Sequence, residues 1–220
     1  MGSAVNGKVA IVQFDDRPDD KLGMLAPLVA RNAAYARAHG YAHFFIREHA
    51  NEIPMYWHKV ALLESCLSEF EFVAWLDTDA VVHDFNLSIE ALFPGPEMMV
   101  FAGDLPVWEV PQPFNAGVFF CRGAEAEALM REWRALYPAH LWRKENGLWN
   151  FKEHVWAGEA YEQGAFVRDL LPRYAGTDAF RILSWRELQS PCPLPESRTL
   201  HFSNVFRPNA LLHPHFVAER

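Results

Sequence analysis

The chain has 220 residues, half of them hydrophobic, and carries a formal net charge of −8. This length suffices for one sizeable hydrophobic core, so a single domain over residues 1–220 is expected. The negative charge argues against nucleic acid or an anionic membrane surface as the main partner. It does not argue against a phosphorylated small molecule, because a bound metal ion reverses the local field.

Cysteine usage and hydropathy bear on the compartment. The three cysteines, Cys66, Cys121 and Cys192, are widely spaced and form no Cys-x-x-Cys pair, which predicts buried thiols in a reducing compartment. The sequence shows no apolar run of membrane-spanning length and no signal peptide. A cytoplasmic protein is therefore expected, with a lumenal, Golgi-type location only if an N-terminal anchor has been removed.

The first 82 residues alternate between two kinds of pattern. Short apolar segments rich in β-branched and aromatic residues predict strands, and longer segments with apolar residues at helical spacing predict helices. In chain order these are a strand at 8–14, a helix at 22–39, a strand at 41–47, a helix at 56–68 and a strand at 72–82. The alternation predicts an α/β fold in which helices flank a mixed sheet through right-handed crossovers.

Beyond residue 82 the alternation is less regular. The predicted elements are a short helix or turn at 89–93, strands at 98–102 and 114–121, a helix at 125–136, an irregular or partly helical stretch at 140–157, a helix at 161–171 and a strand at 180–183. Asn115-Ala116-Gly117 begins one of these strands. A glycine there predicts a backbone that something else approaches closely.

Two carboxylates, Asp77 and Asp79, interrupt the third strand. Side chains two residues apart in an extended segment point the same way, so the carboxylates are expected to converge while Thr78 faces elsewhere. Because like charges repel, a cation is expected between them. Oxygen ligands favour Mg²⁺ or Mn²⁺ and leave coordination positions for phosphate. The alternative is that Asp77 caps a turn and Asp79 is solvated.

Landmarks along nearly the whole chain resemble those of glycosyltransferases with the GT-A fold, a Rossmann-like arrangement. The resemblance is to the retaining family 34, which includes α-galactosyl-, α-mannosyl- and xylosyltransferases. The related family 8, which includes glycogenin, shows the same landmarks. They are Asn32, Tyr35-Ala36, His39-Gly40-Tyr41, Trp57, Lys59, Trp75-Leu76-Asp77-Thr78-Asp79-Ala80, Asn115-Ala116-Gly117-Val118-Phe119-Phe120, Arg122, Glu162-Gln163 and His201.

This resemblance implies a metal-dependent, retaining transferase. Its donor is a nucleotide-diphosphate sugar carrying a hexose or pentose, and its acceptor is a glycan or another hydroxyl compound. Asp77, Asp79 and His201 are implied as ligands of Mn²⁺ or Mg²⁺, and an imidazole beside two carboxylates suits Mn²⁺. Retention through a covalent intermediate and retention through same-face attack both remain open.

The resemblance also implies contacts to the donor. Asp15, Asp16 and Arg17 are expected to hold the base and ribose, which favours a UDP-sugar over a GDP-sugar. Arg207 stands where family 8 has a lysine, and it is expected to contact the diphosphate. The other expected donor contacts are Lys59, Asp77, Thr78, Asn115, Ala116 and Gly117. For each cluster the alternative is an ordinary solvated surface group.

Three residues are implied near the reacting sugar. Gln163 is expected on the β face of the sugar, and Glu162 and Asp104 are expected to hold its hydroxyl groups. A nucleophilic role for Glu162 is the alternative.

A carbohydrate acceptor is expected, and four tryptophans are candidates to stack on it: Trp108, Trp142, Trp149 and Trp156. A homodimer is left open.

Other classes of protein have an Asp-x-Asp motif or a similar fold. A haloacid-dehalogenase-like phosphatase would carry the motif at its first strand, whereas here it follows two strand–helix units. A nucleotidyltransferase would have a glycine-rich loop where this chain has Asp15-Asp16-Arg17-Pro18. A non-catalytic domain that binds nucleotide-sugars or carbohydrates is the remaining alternative.

Overall fold

A six-stranded mixed sheet forms the centre of the structure, a computed structural model that describes residues 8–48, 52–107, 112–151, 155, 157–203 and 206–212. The strands are β1 (Val9–Phe14), β2 (Ala42–Ile46), β3 (Phe72–Leu76), β4 (Ala80–Val82), β5 (Met99–Ala102), β6 (Asn115–Arg122), β7 (Trp142–Glu145), β8 (Leu148–Phe151), β9 (Phe180–Leu183) and β10 (Thr199–His201). The helices are α1 (Asp19–Leu22), α2 (Ala26–His39), α3 (Met55–Leu67), α4 (Gly123–Ala135), α5 (Glu162–Ala165), α6 (Trp185–Leu188) and α7 (Arg207–Leu212).

The strand order of the main sheet is β2-β1-β3-β6-β5-β9. β1 runs parallel to β2 and β3, whereas β6 runs antiparallel to both β3 and β5. The predicted mixed sheet flanked by helices is therefore confirmed. The carboxyl ends of β1 and β3 lie side by side at one edge, which is where ligands bind in open α/β sheets.

Both faces of the sheet are buried, and β3 shows how. Val73 and Trp75 point into one apolar cluster with residues of α3 and α4, while Phe72, Ala74 and Leu76 point into a second cluster with residues of α2. All five side chains of the strand are buried. This explains why the strand is apolar throughout instead of alternating with polar residues.

The prediction of an irregular or partly helical stretch at 140–157 is wrong for residues 142–151. These residues form the hairpin of β7 and β8. Asn146 and Gly147 connect the strands with φ angles of 51° and 80°, as a type I′ turn requires. The Asn-Gly pair was the available signal.

Two predicted helices differ in detail from the structure. The helix expected at 22–39 begins at Ala26, after the four-residue α1 and a 3-10 turn over Gly23–Leu25. It ends at His39, and the φ of 71° at Gly40 confirms the predicted cap. The helix expected at 161–171 is α5 continued by a π-helical turn over Phe166–Leu170.

A second, two-stranded sheet joins the C-terminal region to the segment that follows Asp79. β10 pairs antiparallel with β4. Ala210 of α7 lies in a small apolar cluster with Leu28, Val81 and Leu200, so α7 is anchored against this sheet.

The three cysteines are free, as predicted, but Cys192 is exposed, so the expectation that all three are buried is wrong. Within the described ranges, none of the helices combines the length and the apolar character needed to cross a membrane.

Candidate active site

Asp77, Thr78 and Asp79 form a tight turn between β3 and β4. The Ala80 N–H donates to the Asp77 carbonyl at 2.8 Å, and the Asp77 N–H donates to the Gly117 carbonyl at 2.8 Å. The predicted convergence of the two carboxylates is confirmed, because each offers one oxygen to a group of three ligand atoms that all lie within 4.8 Å of one another. The turn between β3 and β4 brings the carboxylates together. The expectation that they converge by alternation along one continuous strand is wrong.

His201 is the third member of this group. In the β4–β10 pairing His201 lies opposite Ala80, and the Phe202 N–H donates to the Asp79 carbonyl at 2.8 Å. This register places His201 Nε2 3.3 Å from Asp79 Oδ1. The ring packs directly on Gly117, where a Cβ would lie 2.3 Å from His201 Cε1, so the predicted close approach to Gly117 is confirmed.

Buried charges determine the protonation of this group. Burial alone would raise the pKa of Asp79, but hydrogen bonds from His201 and Arg207 outweigh it and hold this pKa well below its usual value. Burial would lower the pKa of His201, but its hydrogen bond to Asp79 outweighs that and raises it. Asp79 is therefore an anion with two basic partners.

The donor set fits a divalent cation. Two carboxylates and an imidazole are ligands that Mn²⁺ accepts, and three protein ligands leave positions for phosphate oxygens. The Nδ1 atom of His201 is buried and has no hydrogen-bond partner among the described residues, whereas Nε2 lies 3.3 Å from Asp79 Oδ1.

Lys59 lies buried beside the metal group. Its Nζ donates to the Ala116 carbonyl and to Glu162 Oε1, both at 2.9 Å, and lies 3.7 Å from Asp77 Oδ1. Burial would lower the pKa of Lys59, but the charges of Asp77 and Glu162 outweigh it, so this pKa is raised and the amine stays charged. The other carboxylate oxygen of Glu162, Oε2, is buried without a hydrogen-bond partner in the described part of the chain.

Gln163 forms two hydrogen bonds to the backbone at the start of β6. Its Oε1 accepts from the Ala116 N–H and its Nε2 donates to the Phe114 carbonyl, both at 2.9 Å. The side chain is 4% exposed. Gln163 therefore fixes the backbone of Asn115–Gly117, which lines the same cleft as the metal group.

Asp15 and Arg17 form a pair at the carboxyl end of β1. The Asp15 carboxylate accepts hydrogen bonds from the guanidinium and backbone N–H of Arg17 and from the Thr78 hydroxyl. Asp15 is buried, whereas Asp16 is exposed. The carboxylate of Asp15 is thus engaged in orienting Arg17 toward Thr78.

These groups surround one cleft of about 300 Å³. Every predicted donor, metal or catalytic residue except Asp104 lines it. Asp104 lies in the loop after β5, where its carboxylate accepts from the N–H groups of Leu105 and Gln112. The structure does not bring Asp104 to the other site residues.

Several residues that line the cleft were not predicted from the sequence. They are Phe14, Met55, Tyr56, Trp75, Ala157, Tyr161 and Ser203. Trp75 donates its indole N–H to Asp77 Oδ1 at 2.7 Å. Its signal was its position two residues before Asp77, within the strand predicted at 72–82. Ala157 has an unusual φ of 54°, for which the sequence contains no signal.

The tryptophans proposed for acceptor binding are placed elsewhere or not described. The indole N–H of Trp142 donates to the Ala160 carbonyl at 2.8 Å, and Trp149 packs against the core. Neither lines the cleft. Trp108 and Trp156 lie outside the described residues.

Comparison with known proteins supports the resemblance. Residues 9–103 match the model of the galactosyl transferase GMA12/MNN10 family. This range carries β1, Lys59 and the Asp77–Asp79 turn. No curated protein sequence is significantly similar to the chain.

Solved structures establish the fold. A glycosyltransferase involved in the glycosylation of the major capsid of PBCV-1 aligns with a TM-score of 0.71 at 16% identity, over 96% of this chain and 99% of that one. The glycosyltransferase GlyE of Streptococcus pneumoniae TIGR4 aligns with a TM-score of 0.54 at 15% identity, over 92% of this chain and 56% of that one.

With the family match over residues 9–103 and the shared GT-A fold, the chain is a glycosyltransferase similar to the galactosyl transferase GMA12/MNN10 family.

Proposed function

We propose that this glycosyltransferase takes a hexose or pentose from a nucleotide-diphosphate sugar, preferably a UDP-sugar, and transfers it with retention to a carbohydrate or another hydroxyl acceptor. The observation that carries the proposal is the convergence of Asp77, Asp79 and His201 within 4.8 Å in a cleft that Arg17 and Arg207 also line. A site with carboxylates for a metal and guanidinium groups for phosphate suits a diphosphate.

Asp77, Asp79 and His201 would hold the divalent ion. When bound there, Mn²⁺ or Mg²⁺ supplies Lewis-acid stabilisation of the charge that develops on the leaving diphosphate. Arg17 adds positive charge from the β1 side, because Asp15 fixes its guanidinium beside Thr78. Asp16 is the carboxylate of this loop that is exposed, so it is the better candidate to accept from a ribose hydroxyl or a uracil N–H.

Glu162 is proposed to bind a hydroxyl group of the donor sugar. Lys59 holds one of its oxygens at 2.9 Å, and the other is buried without a partner in the described residues. A buried carboxylate oxygen without a donor is costly, so a sugar hydroxyl that donates to it would contribute binding energy and specificity. This role needs no nucleophilic attack by Glu162.

Gln163 is proposed to act beneath the sugar through its carbonyl oxygen. One lone pair of Oε1 accepts from Ala116, and the second remains for the positive charge that develops at the anomeric carbon. Because both ends of the amide are held by the backbone of Phe114 and Ala116, the oxygen is positioned before the donor arrives.

The acceptor is proposed to enter past Met55, Tyr56 and Tyr161. The two tyrosine rings lie 4.8 Å apart in an edge-to-face arrangement, and Met55 is 45% exposed at the cleft. Apolar and aromatic surfaces of this kind contact the faces of sugar rings.

Thermal unfolding with nucleotide-sugars tests the donor site. UDP- and GDP-sugars at about a hundred times their dissociation constant should stabilise the protein by about 2.7 kcal/mol. For this chain length that raises the Tm by about 5–10 °C. We expect the shift with a UDP-sugar and Mn²⁺ together, and its loss in Asp79→Asn. An equal shift in Asp79→Asn would contradict the proposed metal ligand.

Transfer itself separates an enzyme from a non-catalytic binding domain. Incubation with the stabilising donor and a panel of glycans should yield a product with the anomeric configuration of the donor, as read by NMR coupling constants. A product with inverted configuration would overturn retention, and tight donor binding without transfer to any acceptor or to water would favour the binding domain.

A further inference from the structure

In the described structure, both carboxylates of the proposed metal group are paired with basic side chains. Asp77 Oδ1 lies 3.7 Å from Lys59 Nζ, and Asp79 Oδ2 accepts from Arg207 Nε at 3.0 Å. The two carboxylates that would bind a divalent cation therefore already interact with positive charge. A divalent cation bound by these carboxylates would be repelled by both positive charges.

Lys59 is held firmly in its position. Its side chain is 7% exposed, and its amine also donates to the Ala116 carbonyl and to Glu162 Oε1. Moving this amine would leave the buried carboxylate of Glu162 unpaired, which is strongly unfavourable.

Arg207 is held much less firmly. Its side chain is 42% exposed, and its ion pair with Asp79 spans from the first turn of α7 to the β3–β4 turn. The helix is anchored through Ala210, which is buried in a small apolar cluster. The side chain of Arg207 can thus leave Asp79 by rotation about its own bonds while α7 stays in place.

We propose that Arg207 is an exchangeable partner of Asp79: it neutralises this carboxylate in the free enzyme and transfers to the diphosphate when nucleotide and metal bind together. The inference rests on the proposed donor site and adds that the diphosphate and the metal assist each other's binding there. A metal ion that binds without nucleotide meets the positive charge of Arg207 at Asp79. If it displaces the guanidinium, that group gains only hydration. A diphosphate offers that guanidinium a charge-assisted, bidentate partner.

The consequence is coupling between the two ligands. A nucleotide diphosphate draws Arg207 away from Asp79 and so raises the affinity for the metal. By linkage, the metal raises the affinity for the nucleotide by the same factor. In the proposed enzyme, Arg207 therefore makes the donor site assemble from diphosphate and metal as a pair.

Direct titration of Mn²⁺ tests the exchange without any activity assay. Free Mn²⁺ would be followed by electron paramagnetic resonance, with and without saturating UDP, in the wild type, Arg207→Gln and Arg198→Gln. Arg198 is a matched control, because its side chain is 39% exposed and lies 3.8 Å from Glu187 outside the cleft. Asp79→Asn reports whether Mn²⁺ binds at the proposed ligands.

Without UDP, we expect Arg207→Gln to bind Mn²⁺ at least tenfold more tightly than the wild type, and Arg198→Gln to match the wild type. UDP should then raise the Mn²⁺ affinity of the wild type at least tenfold more than that of Arg207→Gln. If Asp79→Asn loses Mn²⁺ binding but Arg207→Gln binds Mn²⁺ without UDP only as tightly as the wild type, or less tightly, the exchange is overturned and the metal site stands. Unchanged binding in Asp79→Asn would instead overturn the proposed metal site, and the exchange with it.

Discussion

The pair of Lys59 and Glu162 places two charges in the core beside the cleft. Replacing one partner leaves the other buried and unpaired, so Lys59→Met should lower the free energy of unfolding by about 3–5 kcal/mol. Adding Glu162→Gln to Lys59→Met should recover part of this loss, because the uncompensated carboxylate is removed. Urea unfolding of the wild type, both single variants and the double variant would measure the coupling.

An exposed ion pair provides the control for this cycle. Arg173 and Glu132 lie 2.8 Å apart, but about half of each side chain is exposed. Arg173→Gln should therefore change the free energy of unfolding by no more than about 0.5 kcal/mol. If Lys59→Met were as mild as Arg173→Gln, the Lys59–Glu162 pair would not be buried as described.

Asp15 makes stability depend on pH. Burial would raise the pKa of Asp15, but hydrogen bonds from Arg17 and Thr78 outweigh it and hold this pKa below its usual value. A carboxyl group with a lowered pKa stabilises the folded state above its unfolded pKa, near 3.9, and this contribution is lost as the pH falls through the folded pKa.

The corresponding variant is Asp15→Asn, which cannot ionise. Its deficit in free energy of unfolding against the wild type should be largest above about pH 5 and should shrink as the pH falls below about 4. Denaturant unfolding between pH 3 and 6 would measure it. A deficit that grows toward acid would show that the pKa of Asp15 is raised instead.

The hairpin of β7 and β8 depends on its two-residue turn. Gly147 has a φ of 80° and no atom within 4 Å of an added Cβ, so Gly147→Ala adds backbone strain without a clash. We expect a loss of about 1–2 kcal/mol in the free energy of unfolding. Urea unfolding would measure it.

The reverse change at the neighbouring residue is the control. Asn146 also has a positive φ, of 51°, which glycine adopts more readily. Asn146→Gly should therefore be neutral within a few tenths of a kcal/mol. A loss as large as that in Gly147→Ala would contradict the type I′ turn.

Phe166 connects the C-terminal half of the chain to the sheet. Its ring centroid lies 4.7 Å from that of Trp133, 5.3 Å from Phe101 and 5.5 Å from Phe114. These partners belong to α4, β5 and the residue before β6. A core shared in this way favours the predicted single domain over 1–220, which stays a prediction.

Phe166→Ala tests whether the chain unfolds as one unit. The lost contacts and the cavity should cost about 3–5 kcal/mol, with an unchanged dependence on urea. Circular dichroism and tryptophan fluorescence should report one coincident transition in the wild type and in the variant. Two transitions, of which the variant shifts one, would indicate two domains.

Much of the fold follows from short-range patterns. The apolar run of β3, the helical spacing of α3 and the glycine after α2 each act through neighbours in the chain, and the structure confirms all three. The Asp77–Asp79 motif was found for the same reason. The geometry of the motif was not predicted correctly, because the sequence pattern did not show where β3 ends and the turn begins.

Tertiary structure alone decided which charges meet. Lys59 pairs with a residue 103 positions away, and Arg207 pairs with one 128 positions away. It also joined the Thr78 hydroxyl to the Asp15 carboxylate, 63 positions away, and left Asp104 outside the cleft. No local pattern encodes such contacts, because they arise from the order of strands in the sheet and from the β4–β10 pairing. Composition and periodicity identify the elements, and only their packing determines which side chains share one site.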